Sequence, residues 1–112
     1  MAKWTIIYSD GIITKDGLGY DAVVSADGSS KTALDLTWLP DSFLAMQSED
    51  GVTCTIESGS RSTEERTANQ ENVATNSLAW WSNVESTWQA AHDAQLALNA
   101  YRAALKAAAA AA

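Results

Sequence analysis

The stretch that decides the fold of this chain is SNVESTWQAAHDAQLALNAYRAALKAAAAAA, residues 82–112. Apolar residues recur through it at steps of three and four, which places them along one side of an α-helix. Ser82 and Glu85 have the spacing of a capping box and predict where the helix begins. A helix of this length spans about 45 Å, so we expect its distal end to pack against something other than its own domain. The residues predicted to form this oligomer or partner interface are Val84, Trp88, Ala91, Ala94, Leu98, Tyr101 and Leu105.

From Ala91 onward the apolar spacing is that of a heptad repeat. The steps alternate between three and four residues as far as Ala112, which is the a/d pattern of a coiled coil. The end nearer Val84 is less regular and is expected to seat the helix on the rest of the chain. Two arrangements are open: a stalk that joins copies of the chain, and a single helix that folds back on a sheet. The pattern does not fix the number of copies.

The alanine run at the end of the chain, Ala107–Ala112, allows two interpretations. Alanine is the strongest helix former, so the run suits the end of a long helix. The run also suits stand-ins for residues whose identity is not assigned. In the second case the charge balance of the stalk changes.

Residues 1–60 are predicted to form a β-rich head. Four Asp–Gly pairs suit tight turns between short apolar strands. Leu34, Leu36 and Trp38 alternate with polar residues, which is the pattern of a strand with one buried face. The fold class is therefore α+β, an antiparallel β-meander followed by a long C-terminal helix, with a division of the head into two layers left open. The expected strands are residues 4–8, 12–15, 18–24, 34–38, 43–47 and 52–57.

Residues 61–81 are predicted to form a polar neck that ends in a tryptophan-rich joint. The stretch SGSRSTEER, residues 58–66, has no apolar side chain and suits a connector. A short, poorly packed helix is predicted over residues 67–76. Leu78, Trp80 and Trp81 are then expected to join the sheet to the stalk, residues 82–112.

Acidic residues dominate the N-terminal half of the chain. The formal net charge is −7, and residues 1–60 carry nine acids against three lysines. An acidic surface repels phosphate, so nucleic acid is not an expected partner. The N-terminus lacks the apolar run of a signal peptide, and no segment approaches the roughly 20 apolar residues that a bilayer requires. We therefore expect a soluble protein, made in a cytoplasm and without membrane insertion.

No motif predicts catalysis, a metal site or a cofactor. His92 is the only histidine, and Asp93 diverges from it by about 100° around the helix, so it is poorly placed to orient the ring. Cys54, the only cysteine, falls on the apolar side of an alternating strand and is expected to be a buried thiol. One His and one Cys are too few for a closed zinc site. The five tryptophans leave open a platform for glycans, although the positions of Trp38 and Trp88 favour core or interface roles.

Two short blocks resemble small proteins encoded beside the tail-fibre genes of tailed bacteriophages. They are DGLGY at residues 16–20 and WLPDSFLAMQ at residues 38–47, and the stalk is similarly rich in Ala and Gln. The resemblance implies a non-enzymatic bacteriophage virion structural protein associated with the tail fibre, located in the virion tail and synthesised in the host cytoplasm. It implies partners that are further copies of the chain or a tail-fibre protein, with a trimer favoured because phage fibres are trimeric. The alternatives are a tail-fibre assembly chaperone absent from the mature virion, and a carbohydrate-binding module that contacts a host surface.

Overall fold

The computed structural model describes residues 2–61 and 69–111, and it confirms the α+β fold class. Short strands form an antiparallel sheet and a separate hairpin, and one long helix follows them. The elements are β1 (Trp4–Ile7), β2 (Ile12–Lys15), β3 (Leu18–Tyr20), β4 (Ala22–Val24), β5 (Lys31–Ala33), β6 (Phe43–Ser48), β7 (Thr53–Ser58), β8 (Asn69–Ala74), a 3-10 turn (Thr75–Ser77) and α1 (Trp81–Ala111).

The main sheet has six strands in the order β3-β2-β1-β6-β7-β8, and β4 and β5 pair only with each other. All the pairs are antiparallel. Asp16 and Gly17 join β2 to β3 with φ angles of 51° and 85°. Two successive positive φ angles are typical of a type I′ hairpin turn, which is the turn that an Asp–Gly pair predicts.

The predicted strand over residues 34–38 is wrong. The Asp35 carboxylate accepts hydrogen bonds from the Thr37 amide (3.0 Å) and hydroxyl (2.6 Å), and the Trp38 indole N–H donates to the Asp35 carbonyl (2.7 Å). Such local bonds offer the backbone an alternative to a strand ladder. Leu34 and Leu36 are nevertheless buried. The alternation therefore predicted correctly which side chains face the core, but it did not predict the backbone conformation.

The predicted short helix over residues 67–76 is wrong over residues 69–74, and only its last two residues lie in a helical turn, the 3-10 turn Thr75–Ser77. Residues 69–74 form β8, which pairs with β7 along its whole length. The Thr55 hydroxyl donates to the Asn72 side-chain oxygen (2.7 Å), and the Gln70 amide donates to the Glu57 carboxylate (3.0 Å). Residues 62–68 of the predicted neck lie outside the described residues.

The helix begins one residue earlier than predicted. The Trp80 carbonyl accepts hydrogen bonds from the Asn83 amide (3.0 Å) and the Val84 amide (3.3 Å), and α1 runs from Trp81. Ser82 therefore lies inside the first turn, where it cannot serve as the N-cap. The predicted capping box of Ser82 and Glu85 is not formed.

The sheet has one buried face and one mixed face, where an apolar row of Ile7, Ile12 and Ala45 lies beside a polar row. On the buried side the sheet contributes Trp4, Ile6, Ile13, Met46 and Cys54 to a single core that also includes residues of α1. The opposite side presents a row of paired polar residues that crosses five strands, and burial on one face only is typical of antiparallel sheets. That row consists of Thr14, Thr5, Gln47, Thr55 and Asn72.

Candidate functional site

The first part of α1 packs on the head. Val84, Trp88, Ala91 and Leu98 are 0%, 6%, 1% and 3% exposed, and we call residues 81–98 the seated segment. The prediction that the N-terminal end of the helix seats on the head is confirmed, and the seat extends further along the helix than expected. For this segment, the alternative of a helix folded back on its own domain describes the structure.

The remaining residues of the predicted interface are open to solvent to different degrees. Ala94 is half-buried, whereas Tyr101 and Leu105 are 42% and 53% exposed. Every residue from 99 to 111 is exposed, and we call this range the overhang. The surface that the described chain leaves free for a partner is therefore the distal part of the predicted stripe.

Tryptophan rings form the centre of the seat. The ring of Trp4 in β1 meets those of Trp81 and Trp88 edge-on, at centroid distances of 5.7 and 6.1 Å and interplanar angles of 73° and 80°. Edge-to-face pairs add about 0.5–1.5 kcal/mol to the effect of burial. The Trp88 indole N–H donates to the Leu18 carbonyl at 2.9 Å, so burial of the ring leaves no polar group unpaired there.

A lysine completes the seat. The Lys15 ammonium lies 5.3 Å from the ring centroid of Trp4 and 5.0 Å from that of Trp88. Both distances fall within the range in which a cation is attracted to an aromatic face. The one ion pair among the described residues joins Lys3 to Glu49, so the favourable neighbours of the Lys15 charge are these two rings.

His92 belongs to the seat and not to a catalytic group. Its ring stacks on Trp88 with the centroids 4.7 Å apart and the planes 14° from parallel. Its Nδ1 shares a hydrogen bond of 2.9 Å with the Tyr20 hydroxyl. Asp93 instead accepts a hydrogen bond from Gln89, one turn earlier on the helix (2.8 Å). His92 is therefore oriented by Tyr20 and Trp88, and Asp93 has no part in it.

The seat ends where the β4–β5 turn meets the helix. Gly28 in this turn has a φ of +75°, and a Cβ atom placed there would lie 3.0 Å from Leu98 Cδ1 and 3.6 Å from a guanidinium nitrogen of Arg102. The absence of a side chain lets the turn lie directly under Leu98. This contact joins residues 70 positions apart in sequence. Neither the turn signal at Gly28 nor the apolar periodicity around Leu98 could have predicted it.

The apolar face of the overhang continues the buried face of the seated segment. At 100° per residue, Tyr101 and Leu105 lie about 60° and 20° from Leu98 around the helix axis. The overhang is about 20 Å long at 1.5 Å per residue. Leu96, which is 52% exposed, lies on the other side of the helix at about 160° from Leu98. A single exposed leucine of that kind is normal on protein surfaces.

The charges of the overhang and the head have opposite signs. Arg102 and Lys106 are the only charged residues in α1 after Asp93. The acids of the head lie largely in its turns, where several form local hydrogen bonds. The distal helix is therefore basic, although the whole chain carries a net charge of −7.

Three aspartates have lowered pKa values because their carboxylates accept hydrogen bonds within turns. Asp27 Oδ1 accepts hydrogen bonds from the Ser29 hydroxyl (2.7 Å), the Ser29 amide (3.0 Å) and the Ser25 hydroxyl (3.0 Å). The bonds from Ser29 and then Ser25 lower the pKa of Asp27 to about 2. Hydrogen bonds from Thr37 likewise lower the pKa of Asp35, and those from Thr53 and Val52 lower the pKa of Asp50. All three acids stabilise turns.

Few titratable groups line the depression beside the β1–β2 loop. A depression of about 380 Å³ between the β1–β2 loop and residues 34–37 contains Tyr8 and Asp35 as its titratable groups, and Asp35 is already engaged by Thr37. Cys54 is the buried thiol predicted from its strand, and desolvation raises its pKa. The described part of the chain holds no cluster of three or more His, Cys, Asp or Glu residues placed to bind a metal ion.

The tryptophans do not form an open platform for sugars. Three of the rings are buried, namely those of Trp4, Trp80 and Trp88. Trp38 and Trp81 are half-buried and pack against the same core. The expected core or interface role of Trp38 and Trp88 is confirmed as a core role.

Comparison with known proteins assigns no relative to this chain. No family model matches it, and no curated protein and no solved structure is significantly similar to it. Among the described residues, no helix combines the length and apolar character needed to span a membrane. What the chain does is therefore inferred from α1 and its surroundings.

Proposed function

We propose that this chain is a non-enzymatic structural protein that associates through the overhang of α1, and that it belongs to a bacteriophage tail-fibre assembly. The observation that carries the first part is the exposure of Tyr101 and Leu105 on the face that is buried as far as Leu98. The second part is supported by the resemblance of residues 16–20 and 38–47 to proteins encoded beside tail-fibre genes.

In an isolated monomer the apolar face of the overhang stays exposed to water. Full burial of a side chain such as Leu105 contributes about 1.5–3 kcal/mol, which an exposed residue does not gain. The overhang, residues 99–111, continues the helix that the seated segment anchors on the head. A second surface that covers Tyr101 and Leu105 adds the free energy of burying these two side chains.

Substitution of Leu105 tests the association. We expect light scattering to give a mass above 11.9 kDa for the unaltered chain at high concentration, and the monomer mass for Leu105→Asp. Leu96→Asp is the matched control, because it places the same charge on an equally exposed leucine on the opposite side of the helix. Leu98 is unsuitable for this test because its side chain is buried against the head.

Two results would contradict the proposed association. One is an unaltered chain that stays monomeric at the highest attainable concentration. The other is a Leu105→Asp variant that keeps the oligomer mass while its circular dichroism and melting temperature match those of the unaltered chain.

The tail-fibre context has its own test. Mass spectrometry of purified virions from a phage that encodes this chain should detect it in stoichiometric amounts with the fibre protein. Its presence in infected cells together with its absence from virions would instead support the assembly chaperone. Failure of the chain to co-purify with any tail component from infected cells would contradict both roles.

A further inference from the structure

The two edges of the main sheet differ in how they end. The edge strand β3 has three residues, and the Trp88 indole N–H donates to its Leu18 carbonyl at 2.9 Å. The other edge strand, β8, has six residues and pairs with β7 without a bulge. It contains no proline and no lysine, two residues that commonly protect an exposed edge. We infer that β8 accepts an extended basic segment of a partner protein as a further antiparallel strand.

The ladder between β7 and β8 identifies the backbone groups that would receive this strand. Just beyond the paired residues, the Thr75 amide donates to the Val52 carbonyl at 2.8 Å. Hydrogen-bonded and non-hydrogen-bonded pairs alternate along an antiparallel ladder, so Gln70 and Asn72 belong to the non-hydrogen-bonded pairs with β7. Their amide and carbonyl groups therefore point away from β7, towards the open edge.

These backbone groups are free to pair. The Ser77 hydroxyl donates to the Ala74 carbonyl at 2.6 Å, which closes the C-terminal end of the edge. The outward amides and carbonyls of Gln70 and Asn72 have no hydrogen-bond partner in the part of the chain that the structure describes. An added antiparallel strand would form a hydrogen-bonded pair with each of these residues, and each pair exchanges two backbone bonds.

Charge favours a basic segment over a second copy of β8. Strands β6, β7 and β8 contain Glu57 and Glu71 but no lysine or arginine. Arg61, which follows β7, is engaged elsewhere, because its guanidinium lies 3.5 Å from the ring centroid of Tyr8 and donates to two backbone carbonyls. Pairing of two β8 strands would bring the Glu71 side chains of both copies close together without a base between them. A basic residue in the added strand would instead face this carboxylate.

The two faces of the edge specify which positions of the added strand are basic. On the core-facing side, Glu71 lines a depression of about 190 Å³ together with Leu78 and Trp80. An arginine opposite Glu71 would place its guanidinium at the carboxylate and its methylene stem against Leu78. The other face presents Gln70 and Asn72, beside which threonine suits the alternate positions. The expected occupant is therefore an extended segment in which arginine alternates with threonine or similar polar residues.

NMR titration of the full chain with a capped seven-residue peptide of alternating threonine and arginine tests this inference. We expect the largest changes at the amides of Gln70 and Asn72. Methylation of the threonine amide nitrogens should weaken binding by at least about tenfold, because these amides donate to β8 in the expected register. Methylation of the arginine amide nitrogens is the matched control, because those amides point away from β8 and binding should persist.

Variants of the chain test the charge. Glu71→Gln should weaken binding of the unmethylated peptide by up to about fivefold, the usual range for an opposite-charge pair across strands. Glu85→Gln is the control, because it removes the same charge from an exposed position on α1 and should leave the affinity unchanged. Equal losses for the two variants would overturn the assignment of Glu71 as the recognition group.

The remaining outcomes are as distinct. Changes confined to β8 and its neighbours, with binding lost only on threonine methylation, support strand addition. Equal affinities of the two methylated peptides, or no change at millimolar peptide, overturn it. Changes at the β8 amides that depend on the concentration of the chain without peptide overturn the basic partner in favour of a second copy. None of these results bears on residues 99–111, so association through the overhang stands or fails separately.

Discussion

The seated segment and the overhang of α1 share one apolar periodicity and differ in what covers it. In the seated segment the stripe is sealed by the sheet and the β4–β5 turn, and Leu98 is 3% exposed. Two turns later, Leu105 is 53% exposed on nearly the same side of the helix. A regular heptad pattern therefore defines an apolar face but does not tell whether the chain or a partner covers that face.

The largest expected effect breaks the seated segment. Trp88→Ala removes a buried ring that contacts Trp4, Tyr20 and His92. Such truncations typically lower the free energy of unfolding by 3–5 kcal/mol. Urea denaturation followed by circular dichroism measures the change.

Leu105→Ala provides the contrast for that experiment. In the monomer at low concentration this change should alter the free energy of unfolding by less than about 0.5 kcal/mol, as exposed substitutions usually do. Equal losses for Trp88→Ala and Leu105→Ala in the monomer would remove the distinction between the two parts of the helix.

The next effect tests the contact at which the seat ends. Gly28→Ala introduces a Cβ at a φ of +75°, only 3.0 Å from Leu98 Cδ1, and we expect a loss of about 2 kcal/mol from strain and crowding together. Gly11→Ala is the control, because Gly11 also has a positive φ of 62° but has nothing within 4 Å of a Cβ. Thermal denaturation of both variants isolates the contact with Leu98. Equal losses would mean that crowding against Leu98 adds nothing to the backbone strain at Gly28.

A smaller effect concerns the lysine between the tryptophans. Lys15→Met keeps the length of the side chain and removes the charge that lies 5.0 Å from Trp88. Loss of the cation–π contact should lower the free energy of unfolding by about 0.5–1 kcal/mol. Lys31→Met in the exposed strand β5 is the control, and an equal change there would assign no stabilising role to the contact.

The smallest effect depends on pH. Because the pKa of Asp27 is lowered from 3.8 to about 2 in the folded state, its ionised form stabilises the folded chain above pH 4. This contribution is lost as the pH falls from about 4 towards 2. Denaturation at several pH values should therefore show a smaller acid-induced loss for Asp27→Asn than for the unaltered chain. Parallel curves for the two proteins would contradict this role of the carboxylate.

The sequence predicts those elements in which the local apolar or turn pattern matches the conformation that the folded chain adopts. The long helix, the Asp16–Gly17 turn and the buried Cys54 all follow from periodicity or turn chemistry, and each is confirmed. The seating of the helix could be expected from the irregular spacing near Trp88. How far the seat extends could not, because it depends on the contact between Leu98 and Gly28.

Two elements could not be predicted from the apolar pattern of the sequence, because hydrogen bonds determine their conformation. Residues 34–38 alternate like a strand, yet Asp35 forms its own turn with Thr37 and Trp38. Strand β8 is almost entirely polar and exposed, so it carries no apolar signal and is held by its ladder with β7. Trp88 lies one helical turn before His92, so local spacing indicates that contact. The Tyr20 partner of His92 and the two ring partners of Lys15 come from elements distant in sequence, and local spacing does not indicate them.

Hydrogen exchange at two concentrations tests the central claim most directly. If the overhang is covered by a second copy and the seated segment by its own head, dilution should accelerate exchange of the amides in residues 103–111. Amides in residues 84–98 should be unaffected by dilution. Exchange across the whole helix that is independent of concentration, or that changes equally in both parts, would contradict the division of α1 into a seated segment and an overhang.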